Sequence, residues 1–523
     1  KWFKFSIFND NVYRIDGALI NSKLSEFGEN VNLDPRSIML FTSESFGRDK
    51  TYELTQEIVG ETSVPINLVE VPLTIIGESD GNLSNEDYIF FYAKGPSGFD
   101  VQINNVKWHQ NLYFTKSEYW LLIPDDSSIR GKRVTTNDIV EDGPLESNFG
   151  LAFKHNEIDK TNPQESGLAW GNQIISYGAT HTEEIVLDHP FPSASASANF
   201  GMIGNEKLST RYKNTPHKIR VSKDGANLSS IDWSNIGTKG SKFTIPAELV
   251  KEGSNKFIFT NESESINSEP LFDFITLSYK RKLVYDGPFE FFSTIQSSDI
   301  TYKISGKDLI IWNISKDFQP ANVPFLSFDD TYIRVSIPPD TVQRFYVFKS
   351  SEIEKITDLV FVGNKKWDNL RSTNNEAKHL IIGPNIFKNS VSQLINHRDK
   401  SFFASLEDIY DEFSGGNKDP IAIRYFLNWT QTSWSASPLT VLFLGDADYD
   451  YRNITGESKL IIPTIQVGRL NTYSSDDRLV SFNGKIPEMA SGRFPARNEE
   501  EVRNFSEKIV EFESNIPSGL WTQ

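Results

Sequence analysis

Short alternating runs of apolar and polar residues dominate the first part of the chain and predict β-strands. Examples are residues 3–7, 38–41, 87–92 and 119–123, and each run is bounded by Gly, Asn, Asp, Ser or Pro. Alternation with a period of two, interrupted by turn-forming residues at short intervals, is typical of β-sandwich modules. Residues 18–27 form the one early segment for which we expect a helix. The N-terminal part is therefore predicted to be rich in antiparallel sheet.

The same pattern continues to about residue 350. Predicted strands lie at residues 218–222, 242–245, 256–260, 272–281, 308–314 and 332–337. Changes in strand spacing place domain boundaries near residues 145, 285 and 375, in keeping with the usual size of domains. We therefore expect an N-terminal β-rich domain at 1–145, a β-sandwich of the jelly-roll kind at 146–285 and a further β-rich domain at 286–376.

The pattern changes after residue 377, where strands alternate with helices. An apolar run at 378–384 precedes a helical segment at 390–398, and Asp419 followed by Pro420 is typical of a helix start. Residues 439–445 are apolar without alternation, as expected for a strand buried on both faces. Asn498 and Glu501 have the spacing of a capping box. Residues 377–523 are predicted to form an α/β domain with a mostly parallel sheet of about four strands.

Composition excludes several classes of function. The chain has 523 residues, of which 38% are hydrophobic, and a formal net charge of −17. This charge disfavours a nucleic-acid partner, which requires a concentrated basic surface. The chain contains no cysteine, so disulfides, thiolate metal sites and a cysteine nucleophile are excluded within it. Its first residues favour a strand and not a signal peptide, and no apolar run is long enough to span a bilayer.

The strongest candidate for a metal site follows the apolar run at 439–445. Asp446, Asp448 and Asp450 alternate there, and three carboxylates at such positions could supply oxygen ligands to Ca²⁺. Tyr451 stands where the loop of an EF-hand needs glycine, so this is not an EF-hand. A polar loop at the edge of a sheet is the alternative interpretation. The acidic turn at 475–477 leaves the same two interpretations open.

Other polar residues give weaker signals. Residues 411–416 are predicted to form a polar turn, but Ser414 lacks the surroundings of a nucleophile elbow. The seven histidines show no spacing typical of a zinc site, so structural roles are expected for all of them. Exposed aromatic residues in 146–285 could form a glycan-binding platform, although aromatic residues of β-sandwiches more often belong to the core.

Several segments together resemble one family, in the order in which that family carries them. They are 77–81 with 87–96, the segment Tyr-Asp-Glu-Phe-Ser-Gly-Gly at 410–416, Asp-Pro-Ile-Ala-Ile-Arg at 419–424, Gly-Asp-Ala-Asp-Tyr-Asp at 445–450, and Gly-Arg-Phe-Pro-Ala-Arg at 492–497. On these residues the chain resembles the gingipain-like cysteine peptidases that act as sortases of the type IX secretion system.

The resemblance implies a caspase-like catalytic domain built from two α/β subdomains, of which this chain carries the first. The family's catalytic cysteine and histidine belong to the second subdomain, so the resemblance transfers no catalytic or cofactor-binding residue to this chain. It implies an exported protein at the outer membrane that removes the C-terminal sorting domain of cargo and transfers the cargo to lipopolysaccharide. The implied partners are a β-barrel shuttle protein similar to PorV, the cargo domains and the lipopolysaccharide acceptor. The alternative is a non-enzymatic, β-rich surface or adhesion protein that keeps a degenerate peptidase subdomain.

Overall fold

The computed structural model describes residues 1–29, 33–43, 68–138, 145–207, 214–294, 298–325, 331–367, 369–468, 470, 472–483, 486–515 and 519. The α-helices are α1 Gly17–Glu26, α2 Ser392–His397, α3 Leu406–Ser414, α4 Pro420–Ser433, α5 Asp477–Val480 and α6 Glu499–Ser514. Short 3-10 helices lie at Pro35–Ser37, Glu78–Asp80, Ala247–Leu249, Ser350–Glu352 and Asn385–Phe387.

The strands of the first half are β1 Trp2–Ile7, β2 Asn11–Asp16, β3 Met39–Ser43, β4 Leu68–Val71, β5 Thr74–Ile76, β6 Tyr88–Ala93, β7 Gly98–Gln102, β8 Asn105–His109, β9 Ser117–Leu122, β10 Thr135–Thr136, β11 Leu145–Ser147, β12 Phe149–Glu157, β13 Thr180–Leu187, β14 Ala196–Ile203, β15 Pro216–Lys223, β16 Ala226–Ser234, β17 Thr238–Ile245 and β18 Gly253–Asn261. Those of the second half are β19 Leu271–Lys282, β20 Phe289–Phe292, β21 Ser298–Ile304, β22 Ile310–Asn313, β23 Ala321–Asn322, β24 Thr331–Ile337, β25 Arg344–Phe348, β26 Glu354–Lys355, β27 Val360–Gly363, β28 His379–Gly383, β29 Ser401–Ser405, β30 Thr440–Leu444, β31 Ile465–Val467, β32 Tyr473–Ser475 and β33 Ala490–Phe494.

Two sheets enclose the core of the N-terminal domain. Their strand orders are β27-β1-β9-β3-β4 and β26-β2-β6-β5. The alternation in β1 buries Phe3, Phe5 and Ile7 in this core, as period-two spacing requires. Strands β26 and β27 come from residues 354–363, so part of the predicted third domain completes the sheets of the first.

A nine-stranded sheet joins the two middle regions. Its order is β10-β23-β22-β25-β20-β12-β19-β14-β17. Strands β12, β19, β14 and β17 face the four-stranded sheet β13-β18-β15-β16 across one core, so these two sets of strands form a sandwich. Strands β20, β22 and β25 pack against β21 and β24 across a second core. The nine-stranded sheet contributes strands to both cores. The predicted boundary near residue 285 therefore does not separate two independent sheets.

The C-terminal domain contains a parallel sheet of order β29-β28-β30-β33. Leu380, Ile382 and Phe443 pack on one face with α3 and α4, while Ile381 and Leu444 pack on the other with α2 and α6. Burial of both faces explains why β30 is apolar without alternation. The predicted fold class, β-sandwich modules followed by an α/β domain with a mostly parallel sheet, is confirmed.

Local signals set the helix starts in this domain. The Asp419 side chain accepts a hydrogen bond from the Ile421 amide at 2.9 Å, and Asn498 accepts one from the Glu501 amide at 2.9 Å. These contacts satisfy amides that a helix leaves unpaired at its first turn. Over the described residues, no helix is both long and apolar enough to cross a membrane.

Candidate functional site

The carboxyl edge of the parallel sheet is the place where open sheets of this kind form their sites. Arg493, near the end of β33, fixes this edge. Its guanidinium donates to the carbonyls of Gly445 and Ile462 at 2.8 and 2.9 Å and forms a two-point contact with Asp476 at 2.7 and 2.8 Å. Asp476 belongs to the acidic turn for which a cation was one interpretation, and the structure gives it an arginine partner. These contacts anchor the first residue of the loop that follows β30 to strand β33.

Asp446 and Asp448 use their carboxylates within the fold. Asp446 accepts from the amide of Ala447 at 3.0 Å and pairs with Arg497 at 3.0 Å. Asp448 accepts from the amides of Asp450 and Lys459, each at 2.9 Å. These contacts shape the loop and orient the two carboxylates toward separate partners.

Asp450, the third residue of the predicted calcium site, is almost fully buried at 1% exposure. It accepts from the amides of Ile454 and Thr455 at 2.8 Å and from the Thr455 hydroxyl at 2.8 Å. Within the ranges that the structure describes, no three His, Cys, Asp or Glu side chains are arranged to hold a metal ion. The geometry thus does not gather Asp446, Asp448 and Asp450 as ligands, and calcium binding there stays a prediction without structural support.

An open cleft of about 480 Å³ lies beside this loop. Asp446, Lys459 and Arg497 line it from the α/β domain, and Glu165 lines it from the sandwich. Acidic and basic groups thus face one another across the carboxyl edge. The cleft therefore offers polar contacts to a ligand.

The loop also ties the α/β domain to the sandwich. Arg452 and Asp159 form an ion pair at 2.7 Å, and their side chains are only 6% and 8% exposed. The rings of Tyr449 and Trp170 stack with centroids 6.0 Å apart. Much of the polar and aromatic character that drew attention to residues 445–452 therefore serves contacts between domains.

A second contact joins the α/β domain to the N-terminal domain. The Trp120 indole donates to the carbonyl of Gly415 at 2.8 Å, and the Asn417 side chain accepts from the Glu118 amide at 2.8 Å. Gly415 and Gly416 have φ angles of +63° and +93°, in the left-handed region that favours glycine. A side chain at Gly416 would also lie 2.9 Å from the Lys4 ammonium. This glycine pair lets the end of α3 approach the N-terminal sheet.

The prediction of a polar turn over residues 411–416 is wrong for its first four residues, which form the last turn of α3. Ser414 is buried at 1% exposure, and its hydroxyl donates to a backbone carbonyl of the same turn, that of Tyr410, at 2.9 Å. Glu412 is also buried and accepts from the amides of Leu370 and Arg371 at 3.1 and 3.2 Å. Burial raises the pKa of the Glu412 carboxyl to about 7. Ser414 is thus a structural residue, and Glu412 is the titratable group that sequence reasoning missed.

His155 has a structural role, as expected for the histidines, but its aromatic neighbours were not predicted. Its ring lies between Trp108 and Phe274, with centroids 4.3 and 5.6 Å away. The alternation of Phe153, His155 and Glu157 along β12 is a signal that these side chains share one face. That signal does not reveal the distant hairpin β7–β8 that supplies Trp108.

A comparison with known protein families finds a match in the C-terminal domain. Residues 372–523 match the family model of Peptidase family C25. The four-stranded parallel sheet lies within this match. The C-terminal domain is therefore similar in sequence to Peptidase family C25, in agreement with the resemblance stated from the motifs.

Comparison with solved structures extends the likeness to the whole chain. The dimeric latent form of PorU from Porphyromonas gingivalis is similar to it, with a TM-score of 0.75 and 17% sequence identity. The match covers 100% of this chain and 50% of the PorU chain, so this chain spans half the length of that protein. At this identity the likeness shows a shared fold.

Other solved structures match only parts of the chain. The CBM36-1 domain of a multidomain xylanase from the hindgut metagenome of Trinervitermes trinervoides has a TM-score of 0.17 and 5% identity, over 25% of this chain and 94% of that one. A carbohydrate-binding module CBM36 in complex with calcium and xylotriose has a TM-score of 0.16 and 9% identity, over 23% and 99%. No curated protein matches the sequence.

Proposed function

We propose that this chain is the scaffold part of a gingipain-like cysteine peptidase that acts as a sortase of type IX secretion at the bacterial cell surface. The observation that carries the proposal is a parallel-sheet domain matching a cysteine peptidase family in a chain that contains no cysteine. The likeness to half of PorU supports the same view. In this proposal the nucleophile lies outside residues 1–523.

The proposed reaction is covalent catalysis. A thiolate attacks the peptide bond before the C-terminal sorting domain of a cargo protein, which leaves as the amine product. The acyl-enzyme then transfers the cargo to an amino group of lipopolysaccharide or to water. The proposed partners are the cargo domain, the lipopolysaccharide acceptor and an outer-membrane β-barrel similar to PorV.

This chain's contribution would be to hold one side of the active site. The carboxyl edge of its sheet is fixed by Arg493 and carries the open cleft beside Asp446. The domain contacts through Arg452 and Trp120 keep that edge at a set position relative to the β-domains. A precise position matters because catalytic groups lose much of their effect when displaced by about 1 Å.

The test compares the full-length protein with the 1–523 polypeptide. Each is incubated with a cargo that carries its C-terminal sorting domain, with and without iodoacetamide, and the products are analysed by mass spectrometry. We expect cleavage by the full-length protein only, abolished by iodoacetamide. Cleavage by residues 1–523 alone, cleavage that resists alkylation, or an intact cargo in the presence of the full-length protein would overturn the proposal.

A further inference from the structure

A second and larger cleft, of about 700 Å³, lies away from the edge of the parallel sheet. Strand β8 and the residues that follow it form one wall, the outer face of strands β12, β19 and β14 forms the floor, and Arg452 closes one side. Its volume is within the range of about 300–1,000 Å³ found for small-molecule sites. Three parts of the chain thus build a cavity on a sheet face that would otherwise be an open, solvated surface.

Two cross-strand rows form the floor: His155, Thr276 and Asn199 in one, and Phe153, Ser278 and Ser197 in the other. The opposite face of the same strands carries core residues such as Leu277 and Phe200. Hydroxyl and amide groups from neighbouring strands therefore point to the cleft at the regular spacing of a sheet. Such a floor offers donors and acceptors along a line.

Trp108 of the wall stacks on His155 of this floor. The Trp108 and His155 rings stack with centroids 4.3 Å apart and an angle of 15°. The His155 side chain is 3% exposed, with Nδ1 2.7 Å from the Thr276 hydroxyl and Nε2 3.0 Å from the Glu157 carboxylate. Burial lowers the pKa of His155 to about 3, so this ring stays neutral and holds Trp108 in place. Trp108 itself is only half-buried and lines the cleft.

The charges around the cleft balance. Glu157, Asp159 and Asp273 are the acidic residues that line it, and Lys107, Lys242 and Arg452 are the basic ones. Asp159 and Arg452 already form an ion pair. A phosphate-bearing or other anionic ligand would require a basic excess, which this lining lacks. The cleft therefore suits a neutral ligand with many hydroxyl groups and at least one apolar face.

We propose that this cleft binds a neutral oligosaccharide. A pyranose ring has an apolar face of C–H bonds, which fits against Trp108, and a rim of hydroxyl groups, which fits the amide of Asn199 and the hydroxyls of the floor. An aromatic surface with a few placed polar groups is the usual composition of a specific small-molecule site. The proposal goes beyond the sortase function and does not depend on it.

The test titrates the purified protein with cellohexaose, laminarihexaose, mannohexaose and maltohexaose. Binding is followed by calorimetry and by tryptophan fluorescence, at low and at high salt. We expect saturable binding to at least one of these probes, with a fluorescence change and little effect of salt, because surface screening acts on charged ligands.

Two variants and a control locate the site. Trp108→Ala should abolish binding, and Asn199→Ala, which leaves the aromatic stack intact, should weaken it about tenfold through loss of a hydrogen bond. Tyr177→Ala removes an aromatic residue of the sandwich that is 51% exposed and lies outside the cleft, and it should bind as the parent does. Absence of binding to all four probes, or binding that is unchanged in Asn199→Ala and in folded Trp108→Ala, would overturn the proposal.

Discussion

Glu412 gives the α/β domain a pH-dependent stability that can be worked out from its surroundings. The carboxyl lies at the end of α3 with 3% exposure, and burial raises its pKa from 4.5 to about 7. A group whose pKa is higher in the folded than in the unfolded state stabilises the fold most below the unfolded value. Its contribution is then lost as the pH rises through about 7.

The magnitude follows from the size of the shift. Each pKa unit corresponds to about 1.4 kcal/mol, so the shift from 4.5 to about 7 gives a full change of at most about 3.5 kcal/mol, or roughly 300-fold in an opening equilibrium. Glu412→Gln mimics the protonated carboxyl, and its side-chain oxygen can still accept from the amides of Leu370 and Arg371. The variant should therefore match the parent at pH 4, below the unfolded value, and exceed it in local stability at pH 8.

Hydrogen–deuterium exchange of peptides that cover α3 measures this local stability. Parent and variant are compared at the same pH, because intrinsic exchange rates also change with pH. Glu511→Gln on the exposed side of α6 is the matched control and should have no effect at either pH. Faster exchange in Glu412→Gln than in the parent at pH 8 would refute the reasoning, since it would show that the two amides stabilise the carboxylate beyond the cost of burial.

Three further substitutions test contacts between and within the domains. Arg452→Met removes the cation paired with the buried Asp159 carboxylate and leaves it only a hydrogen bond from Gln110 at 3.4 Å, so it should cost about 3–5 kcal/mol in denaturant unfolding. Adding Asp159→Asn should recover part of this loss, and equal stability of the single variant and the parent would contradict the expectation. Trp120→Phe removes the donor to the Gly415 carbonyl and should cost about 1–3 kcal/mol, seen as faster proteolysis at the start of α4; unchanged proteolysis would show that the contact is not stabilising. Asn498→Ala removes the N-cap of α6 and should lower the stability of that helix by about 1 kcal/mol, as measured by hydrogen exchange. Unaltered exchange would show that the cap does not stabilise the helix.

Elements with strong local signals were predictable from the sequence. The start of α4 at Asp419 and Pro420 and the buried strand β30 are found where the pattern placed them. These signals are local because a cap bonds amides in its own helix and a buried strand needs apolar residues on both faces. Helix α3 was not predicted because its polar residues resemble a turn, although Leu406, Ile409 and Phe413 have helical spacing.

Features that depend on distant segments were not predictable. Strand β27 pairs with β1 across more than half of the chain, and no local pattern reveals that pairing. The stack of Trp108 on His155 likewise joins segments that are distant in the sequence, and no local pattern reveals it. A carboxylate such as Asp450 accepts amide hydrogen bonds as readily as it would bind a cation, so the sequence cannot distinguish the two uses.

The central proposal is that this chain is a scaffold whose catalytic sulfur lies elsewhere in the protein. A thiol-reactive peptide probe that carries the residues before a cargo's sorting domain, applied to the full-length protein and followed by mass spectrometry, tests it most directly. The account predicts a single labelled cysteine outside residues 1–523, with labelling blocked by excess cargo. Absence of any cargo-protected label on the full-length protein would contradict it.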